Sequence, residues 1–236
     1  MKQQKRIPWG QVIGTGLSLA MGVGCGVVLT SWFDCCPAGV SRPLWALGLA
    51  AAFLLALLAQ ITLHEGGHLV CGLLSGYRFC SFRVGSLMWM KVDGHLRLRR
   101  LRLAGTDGQC LMSPPDMVDG RLPVTLYNFG GALANLLTAA LALALYGPAR
   151  RVPLLAAFLL FLAVIGGFTA AMNGIPLRLG NIDNDGRNAL SLGRDPAALR
   201  AFWVQMKVAE AQARGLRLRE MPEDWFSMPG DEALQN

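Results

Sequence analysis

Five consecutive residues, His64-Glu65-Gly66-Gly67-His68, have the types and spacing that a metal hydrolase needs. On a helix, two histidines four positions apart face the same side, where both imidazoles can bind one zinc ion. The glutamate between them can then take a proton from a water molecule that the metal activates. The pattern therefore predicts metal-assisted hydrolysis, with His64 and His68 as ligands and Glu65 as the general base.

A catalytic zinc takes three protein ligands and leaves one position for water, so a third ligand must come from elsewhere in the chain. The only other histidine, His95, follows a hairpin-turn sequence, where side chains are usually exposed. Cys71 lies three residues after His68, but a cysteine there is more typical of a small buried apolar residue. Carboxylates are better candidates, and Asp183 and Asp185 follow the last apolar stretch of the chain.

The motif lies at the end of one of four long apolar stretches. The 236 residues are 53% hydrophobic, with a mean hydropathy of +0.39, which is typical of multi-span membrane proteins rather than soluble domains. A helix crosses a bilayer with about 20 residues, and the predicted spans cover residues 9–33, 44–75, 124–146 and 154–175. We therefore expect an all-α polytopic membrane protein, with the motif inside or at the edge of the second span.

Basic residues are unevenly distributed around these spans. Of the 22 Lys and Arg residues, three precede the first span, eight lie in residues 78–122, and eight follow from Arg178 onward. By the positive-inside rule, this distribution predicts a multi-pass protein of the cell membrane with both termini and segment 78–122 cytoplasmic. The excess also suits contact with anionic lipid, whereas the absence of interleaved aromatic residues argues against nucleic-acid binding.

The first apolar stretch has one alternative interpretation, a cleaved signal peptide. Lys2, Lys5 and Arg6 provide the basic start that a signal peptide requires. However, the apolar run is longer than a signal core and no clear Ala-x-Ala cleavage site follows it. The sequence therefore favours a retained membrane span.

Residues 78–122 are predicted to form an insertion with a short β-hairpin. Asp93-Gly94 is a strong two-residue hairpin signal between residues 87–92, which begin with the apolar run 87–90, and the alternating residues 95–99. The alternation slips at Arg99-Arg100, which suggests a bulge. The hairpin is either a solvated element or an edge strand that pairs with an extended substrate, and the sequence leaves both interpretations open.

Residues 1–190 are predicted to form the membrane core, and residues 191–236 a cytoplasmic helix and tail. Asp195 is a plausible N-cap, Pro196 occupies the first helical position, and Gly215 follows the end. An apolar stripe along this helix predicts an amphipathic element that lies on the membrane or docks on the core: Leu199, Phe202, Met206 and Ala209.

Three motifs in order resemble those of the site-2 proteases, which are intramembrane zinc metalloproteases. The first is HExxH itself. Gly131-Ala-Leu-Ala-Asn135 is similar to the family's Gly-Pro-x-x-Asn element, with alanine in place of proline. Asn173-Gly-Ile-Pro176 followed by Asp185-Gly186 is similar to the family's Asn-x-x-Pro…Asp-Gly element. The gap before Asp185 is longer than in the commonest family pattern, so Asp183 is a rival. The resemblance covers about residues 44–190.

This resemblance implies one zinc ion held by His64, His68 and Asp185, with Glu65 moving protons and Asn135 positioning substrate or stabilising an oxyanion. On the residues alone, Asn135 is equally well explained as a hydrogen bond between helices. The implied substrate is a membrane-embedded or small hydrophobic peptide that unwinds locally before cleavage. A non-catalytic zinc-binding scaffold or transporter-associated subunit is the alternative, and the intact Glu65 favours the enzyme.

Overall fold

Four long apolar helices dominate the computed structural model, which describes residues 9–92, 94–102, 107–180 and 182–227. They are α1 Trp9–Phe33, α2 Arg42–Leu74, α3 Val124–Ala149 and α4 Pro153–Gly174, and each is long and apolar enough to cross a membrane. The predicted spans are confirmed as helices, and the largest difference in bounds is the end of α3, at Ala149 instead of residue 146. These helices fit a multi-pass membrane protein.

The chain divides into two compact units, and the boundary falls inside α2, directly after His64. The first unit combines the chain up to His64 with Gly131–Arg187. The second unit combines Glu65–Gly130 with the chain from Asn188 onward. Since α2 is continuous from Arg42 to Leu74, the two histidines of the motif stay one helical turn apart on a single helix.

The first unit is built from α1, the first part of α2, most of α3, and α4. Helix α1 packs along α4, where Gly24 leaves room for Val164: a Cβ at position 24 would lie 2.9 Å from Val164 Cγ1. Large apolar side chains point outward, with Leu19 and Leu137 each more than 60% exposed. A surface of this kind suits lipid rather than water. The core is apolar and consists of Val28, Trp45, Leu49, Ala52, Ala56, Ala157, Phe161 and Ile165.

The second unit contains a four-stranded antiparallel sheet in the order β3-β2-β1-β4. Its strands are β1 Arg78–Val84, β2 Leu87–Val92, β3 His95–Arg100 and β4 Gly108–Ser113. The predicted hairpin is β2–β3, and of its turn Asp93 lies outside the described residues while Gly94 has the positive φ that such turns require. The sequence predicted only two of the four strands, because β1 and β4 lack the clear alternation that marks a strand.

The bulge prediction was wrong in its position. The β2–β3 register continues without a break to Leu87 opposite Arg100. The irregularity lies instead on β1, between Phe79 and Ser81. Every residue of β3 is exposed. A break in the alternation of apolar and polar residues therefore only moves a side chain from one solvated face to the other, and the backbone does not need to bulge.

Helix α6, Pro196–Ala213, docks on the sheet through β4. The Asp195 carboxylate accepts hydrogen bonds from the main-chain N–H groups of Ala197 and Ala198, which confirms the predicted N-cap. Met206 is buried in a cluster with Tyr77, Cys110, Met112 and Tyr127. Of the two positions predicted for this helix, the structure therefore shows docking on protein. The remaining elements are β5 Arg178–Leu179, β6 Ile182–Asp183, α5 Asp185–Ser191 and three 3₁₀ turns at Leu192–Arg194, Leu218–Glu220 and Glu223–Phe226.

Candidate metal centre

The first histidine of the motif is held by a side-chain amide of α3. His64 Nδ1 lies 2.7 Å from Asn135 Oδ1. An amide oxygen only accepts hydrogen bonds, so Nδ1 carries the proton and donates it. The lone pair of His64 is therefore on Nε2, which lies 3.3 Å from Asp185 Oδ2. That nitrogen is in the correct state to bind a metal ion.

The close approach of α3 to His64 depends on Gly131. A Cβ at position 131 would lie 2.6 Å from both ring nitrogens of His64. No side chain larger than hydrogen fits there unless the imidazole moves. This contact gives a physical reason for the glycine that begins the Gly131–Asn135 motif.

The second histidine is held by a main-chain carbonyl instead. His68 Nδ1 lies 2.9 Å from the carbonyl oxygen of Tyr127, and the imidazole is buried. Because a carbonyl only accepts, Nδ1 again carries the proton and Nε2 keeps its lone pair. The Tyr127 ring stacks on Tyr77 with 4.6 Å between centroids, which fixes this part of the second unit.

Asp185 is positioned by the side chain of Asn184, which sequence reasoning missed. The Asn184 amide nitrogen donates to the carbonyl oxygens of Met172 and Ile175, each at 2.6 Å. Its amide oxygen accepts from the main-chain N–H groups of Leu177 and Arg187, each at 3.0 Å. One buried side chain thus ties the end of α4 to the start of α5, where Asp185 is the first residue.

The rival carboxylate, Asp183, has a different environment. Its Oδ1 lies 3.0 Å from Arg187 Nε and 3.7 Å from Arg178 Nε, so it forms ion pairs. The glycine after Asp185 also has a steric role, because a Cβ at Gly186 would collide with the carbonyl of Gly174. Both observations favour Asp185 over Asp183 as the third ligand.

Three candidate ligand atoms lie close together. The donor atoms of His64, His68 and Asp185 all lie within 4.8 Å of one another. With Zn–N and Zn–O distances of about 2.1 Å, two ligands of a tetrahedral zinc are separated by about 3.4 Å. The 3.3 Å between His64 Nε2 and Asp185 Oδ2 matches that separation. Two histidines and one carboxylate are also a donor set that leaves the fourth position open for water, so the residues fit Zn²⁺.

The sheet of the second unit contacts the proposed general base. A Cβ at Gly108, the first residue of β4, would lie 2.6 Å from Glu65 Oε1. Burial raises the pKa of the Cys110 thiol to about 12, and the nearby Glu65 charge contributes to the rise. Both observations put the Glu65 carboxylate beside β4. The strand next to Glu65 is therefore not part of the hairpin that sequence reasoning singled out.

Two sequence candidates for the third ligand are not part of this group. The His95 side chain is exposed on β3, as expected for a residue after a turn. Cys71 packs at the helix crossing, where a Cβ at Gly130 would lie 2.9 Å from its own Cβ. The packing interpretation of Cys71 therefore fits the structure.

A buried glutamine completes the surroundings of His64. Gln60 is fully buried, and its side chain bonds to Asn135, Thr138 and the carbonyl oxygen of Leu162. Its signal in the sequence was its isolation, since it is the only strongly polar side chain between Pro43 and Leu63. Nothing in the sequence indicated its partners, which lie 75 and more positions away.

No family model, no curated protein and no solved structure matches this chain. The functional interpretation therefore depends on the site geometry and on the three motifs.

Proposed function

We propose that this protein is an intramembrane zinc metalloprotease of the site-2 protease type. It would hydrolyse a peptide bond, in or near the bilayer, of a membrane-embedded or small hydrophobic peptide. The observation that carries the proposal is the shared state of the two motif histidines. Each donates Nδ1–H to an acceptor, Asn135 or the Tyr127 carbonyl, so its lone pair is on Nε2, and the candidate ligand atoms of His64, His68 and Asp185 lie within 4.8 Å of one another.

The residues of the site divide the chemical work. When bound, Zn²⁺ would lower the pKa of a water molecule and polarise the scissile carbonyl. Glu65 takes the proton of that water and later gives it to the leaving amine. His64, His68 and Asp185 hold the metal and exchange no protons. Asn135 is engaged through both ends of its amide, by His64 and by Gln60, which favours positioning of His64 over contact with an oxyanion.

The setting of the site supports a substrate that lies in the membrane. The motif belongs to α2, one of the four helices long and apolar enough to span a bilayer. A peptide in a membrane helix hides its carbonyl groups in intrahelical hydrogen bonds, so it must unwind before attack. The basic segments between spans support cytoplasmic termini and a cytoplasmic sheet.

The general base gives the direct test of the proposed reaction. The protein in nanodiscs, as wild type and as Glu65→Gln, is assayed for zinc by mass spectrometry and for cleavage of a quenched fluorescent single-span peptide with a central Asn-Gly-Pro segment. We expect Glu65→Gln to keep stoichiometric zinc while cleavage falls by about 10²-fold or more. Glu223→Gln, at an exposed position, is the matched control and should cleave as the wild type does. If Glu65→Gln cleaved the peptide as fast as the wild type, the proposal would be refuted. If the wild type bound zinc but cleaved nothing, the scaffold alternative would be favoured.

The third ligand is tested by two neighbouring substitutions. Asp185→Asn should release zinc, because it removes the carboxylate near His64 Nε2. Asp183→Asn should retain zinc, because Asp183 pairs with Arg178 and Arg187. Zinc content of the two purified variants decides between them, and release of zinc by Asp183→Asn alone would reverse the assignment.

A further inference from the structure

A chain of hydrogen bonds runs from a main-chain carbonyl of α4 to the imidazole of His64. Gln60 Nε2 donates to the carbonyl oxygen of Leu162 at 2.8 Å. Asn135 Nδ2 donates to Gln60 Oε1 at 2.6 Å and to the main-chain oxygen of Gln60 at 2.9 Å. Asn135 Oδ1 faces His64 Nδ1 at 2.7 Å. All members belong to the first unit.

The direction of this chain is fixed at its far end. The Leu162 carbonyl only accepts, so the nitrogen end of the Gln60 amide must face it. The oxygen end of Gln60 then faces Asn135, whose nitrogen end must turn toward Gln60. The oxygen end of Asn135 is thereby aimed at His64, and only an Nδ1–H donor satisfies it. A reversed amide at either position would set two acceptors, or two donors, against each other.

We infer that Gln60 is a positioning residue that selects the Nδ1–H tautomer of His64 through Asn135 and so keeps the lone pair on Nε2, the atom that would bind the metal. The metal part of this inference rests on the proposed function, whereas the tautomer part does not. Burial of an uncompensated amide in an apolar span is strongly unfavourable. In Gln60 both ends of the amide are satisfied, and α4 leaves space for it at Gly166, where a Cβ would collide with Gln60 Nε2.

The competing explanation is that Gln60 only holds helices together through interhelical hydrogen bonds. Such a role would not depend on which end of each amide points where. A carboxylate at position 135 separates the two explanations, because both of its oxygens accept. With Asn135→Asp, an acceptor faces His64 Nδ1 whatever side chain occupies position 60.

The experiment is a double-mutant cycle with two readouts. Wild type, Gln60→Met, Asn135→Asp and the double variant are placed in nanodiscs. The ¹⁵N chemical shifts of the His64 ring report its tautomer in the metal-free protein, and Co²⁺ titration followed by its visible spectrum reports affinity. We expect Gln60→Met to weaken Co²⁺ binding about tenfold, the low end for residues behind a ligand, because the main-chain oxygen of Gln60 still holds Asn135. In the Asn135→Asp background the same change should weaken it less than about twofold.

Thr138→Val is the matched control, since Thr138 bonds to Gln60 Oε1 at 3.1 Å but is not a link in the chain. It should bind Co²⁺ within about twofold of wild type. Should Gln60→Met fail to fold, Gly166→Ala takes its place in the double-mutant cycle, because the added methyl group displaces the Gln60 amide. Equal losses in both backgrounds, or an unchanged His64 tautomer, would overturn the inference. A wild type that binds no Co²⁺ would instead count against the proposed function, while the ¹⁵N shifts would still test the tautomer.

Discussion

His64 and His68 differ in the kind of group that accepts the hydrogen bond from Nδ1–H. Both imidazoles must carry a proton on Nδ1 if Nε2 is to bind a metal ion. For His68, the acceptor is the main-chain carbonyl of Tyr127, which has no alternative orientation. For His64, the acceptor is the amide of Asn135, which presents an oxygen or a nitrogen depending on how it is turned. The comparison teaches that a side-chain acceptor needs a further residue to orient it.

The largest losses of zinc binding are expected when either imidazole is removed, because the way in which it is oriented then no longer matters. His64→Ala and His68→Ala should each abolish stoichiometric zinc binding, because two remaining ligands do not hold a catalytic zinc. His95→Ala is the control and should bind zinc normally, since His95 is exposed on β3. Zinc content after dialysis against a weak chelator measures all three. Full zinc occupancy in both His64→Ala and His68→Ala would contradict the site assignment.

The side-chain acceptor should be sensitive to mutation. Asn135→Leu removes the oxygen that faces His64 Nδ1 and one of the two donors to the buried Gln60 side-chain oxygen, so only Thr138 still donates to it. We expect a 10- to 100-fold loss of zinc affinity, the usual range for residues that orient a metal-bound histidine. Competition with a zinc-binding dye measures the affinity. An unchanged affinity would mean that His64 is held by other contacts.

Two adjacent glycines of α3 contact α2 in different ways: one faces the ring of His64 and the other faces the helix backbone. Gly131 faces the His64 ring, a side chain that can shift, so Gly131→Ala should lower zinc affinity about tenfold with little effect on folding. Gly130 faces the Gly67 carbonyl and Cys71, so Gly130→Ala should instead lower the free energy of unfolding by about 1–3 kcal/mol. Thermal unfolding in detergent, with and without added zinc, separates the two effects. Equal profiles for both variants would argue against this distinction.

The fold was predictable where its signals are local. Uncharged runs of more than 20 residues indicate helices long enough to span a bilayer, and their bounds moved by three residues at most, at Ala149. The cap at Asp195 was predictable because a cap involves only neighbouring residues. The extent of the sheet was not, since β1 and β4 carry weak patterns and pair across 24 to 35 positions of sequence. Pairing at that distance is decided by packing, which a single sequence does not display.

Of the candidate site, the sequence predicted the residues that belong to the three motifs but not the residues that support them. HExxH states its own geometry, because the helix fixes where His64 and His68 point. The motif pattern predicted Asp185 and kept Asp183 as a rival, and the ion pairs of Asp183 add a physical reason to prefer Asp185. The supporting residues Asn184, Gln60 and Gly108 were not predictable as such. Each acts through a contact to a distant part of the chain, and an isolated polar or small residue indicates no particular partner.

The smallest effect is expected on the His68 side, and it is the sharpest check of the comparison. Tyr127→Phe removes a hydroxyl that bonds to the Cys110 carbonyl at 3.4 Å, but it leaves the main-chain carbonyl that holds His68. Ring stacking on Tyr77 also remains possible, so zinc affinity should change by less than about twofold while Asn135→Leu loses ten times or more. The same dye competition measures both. A large loss in Tyr127→Phe would show that the tyrosine side chain orients His68, and the two histidines would then depend on side chains alike.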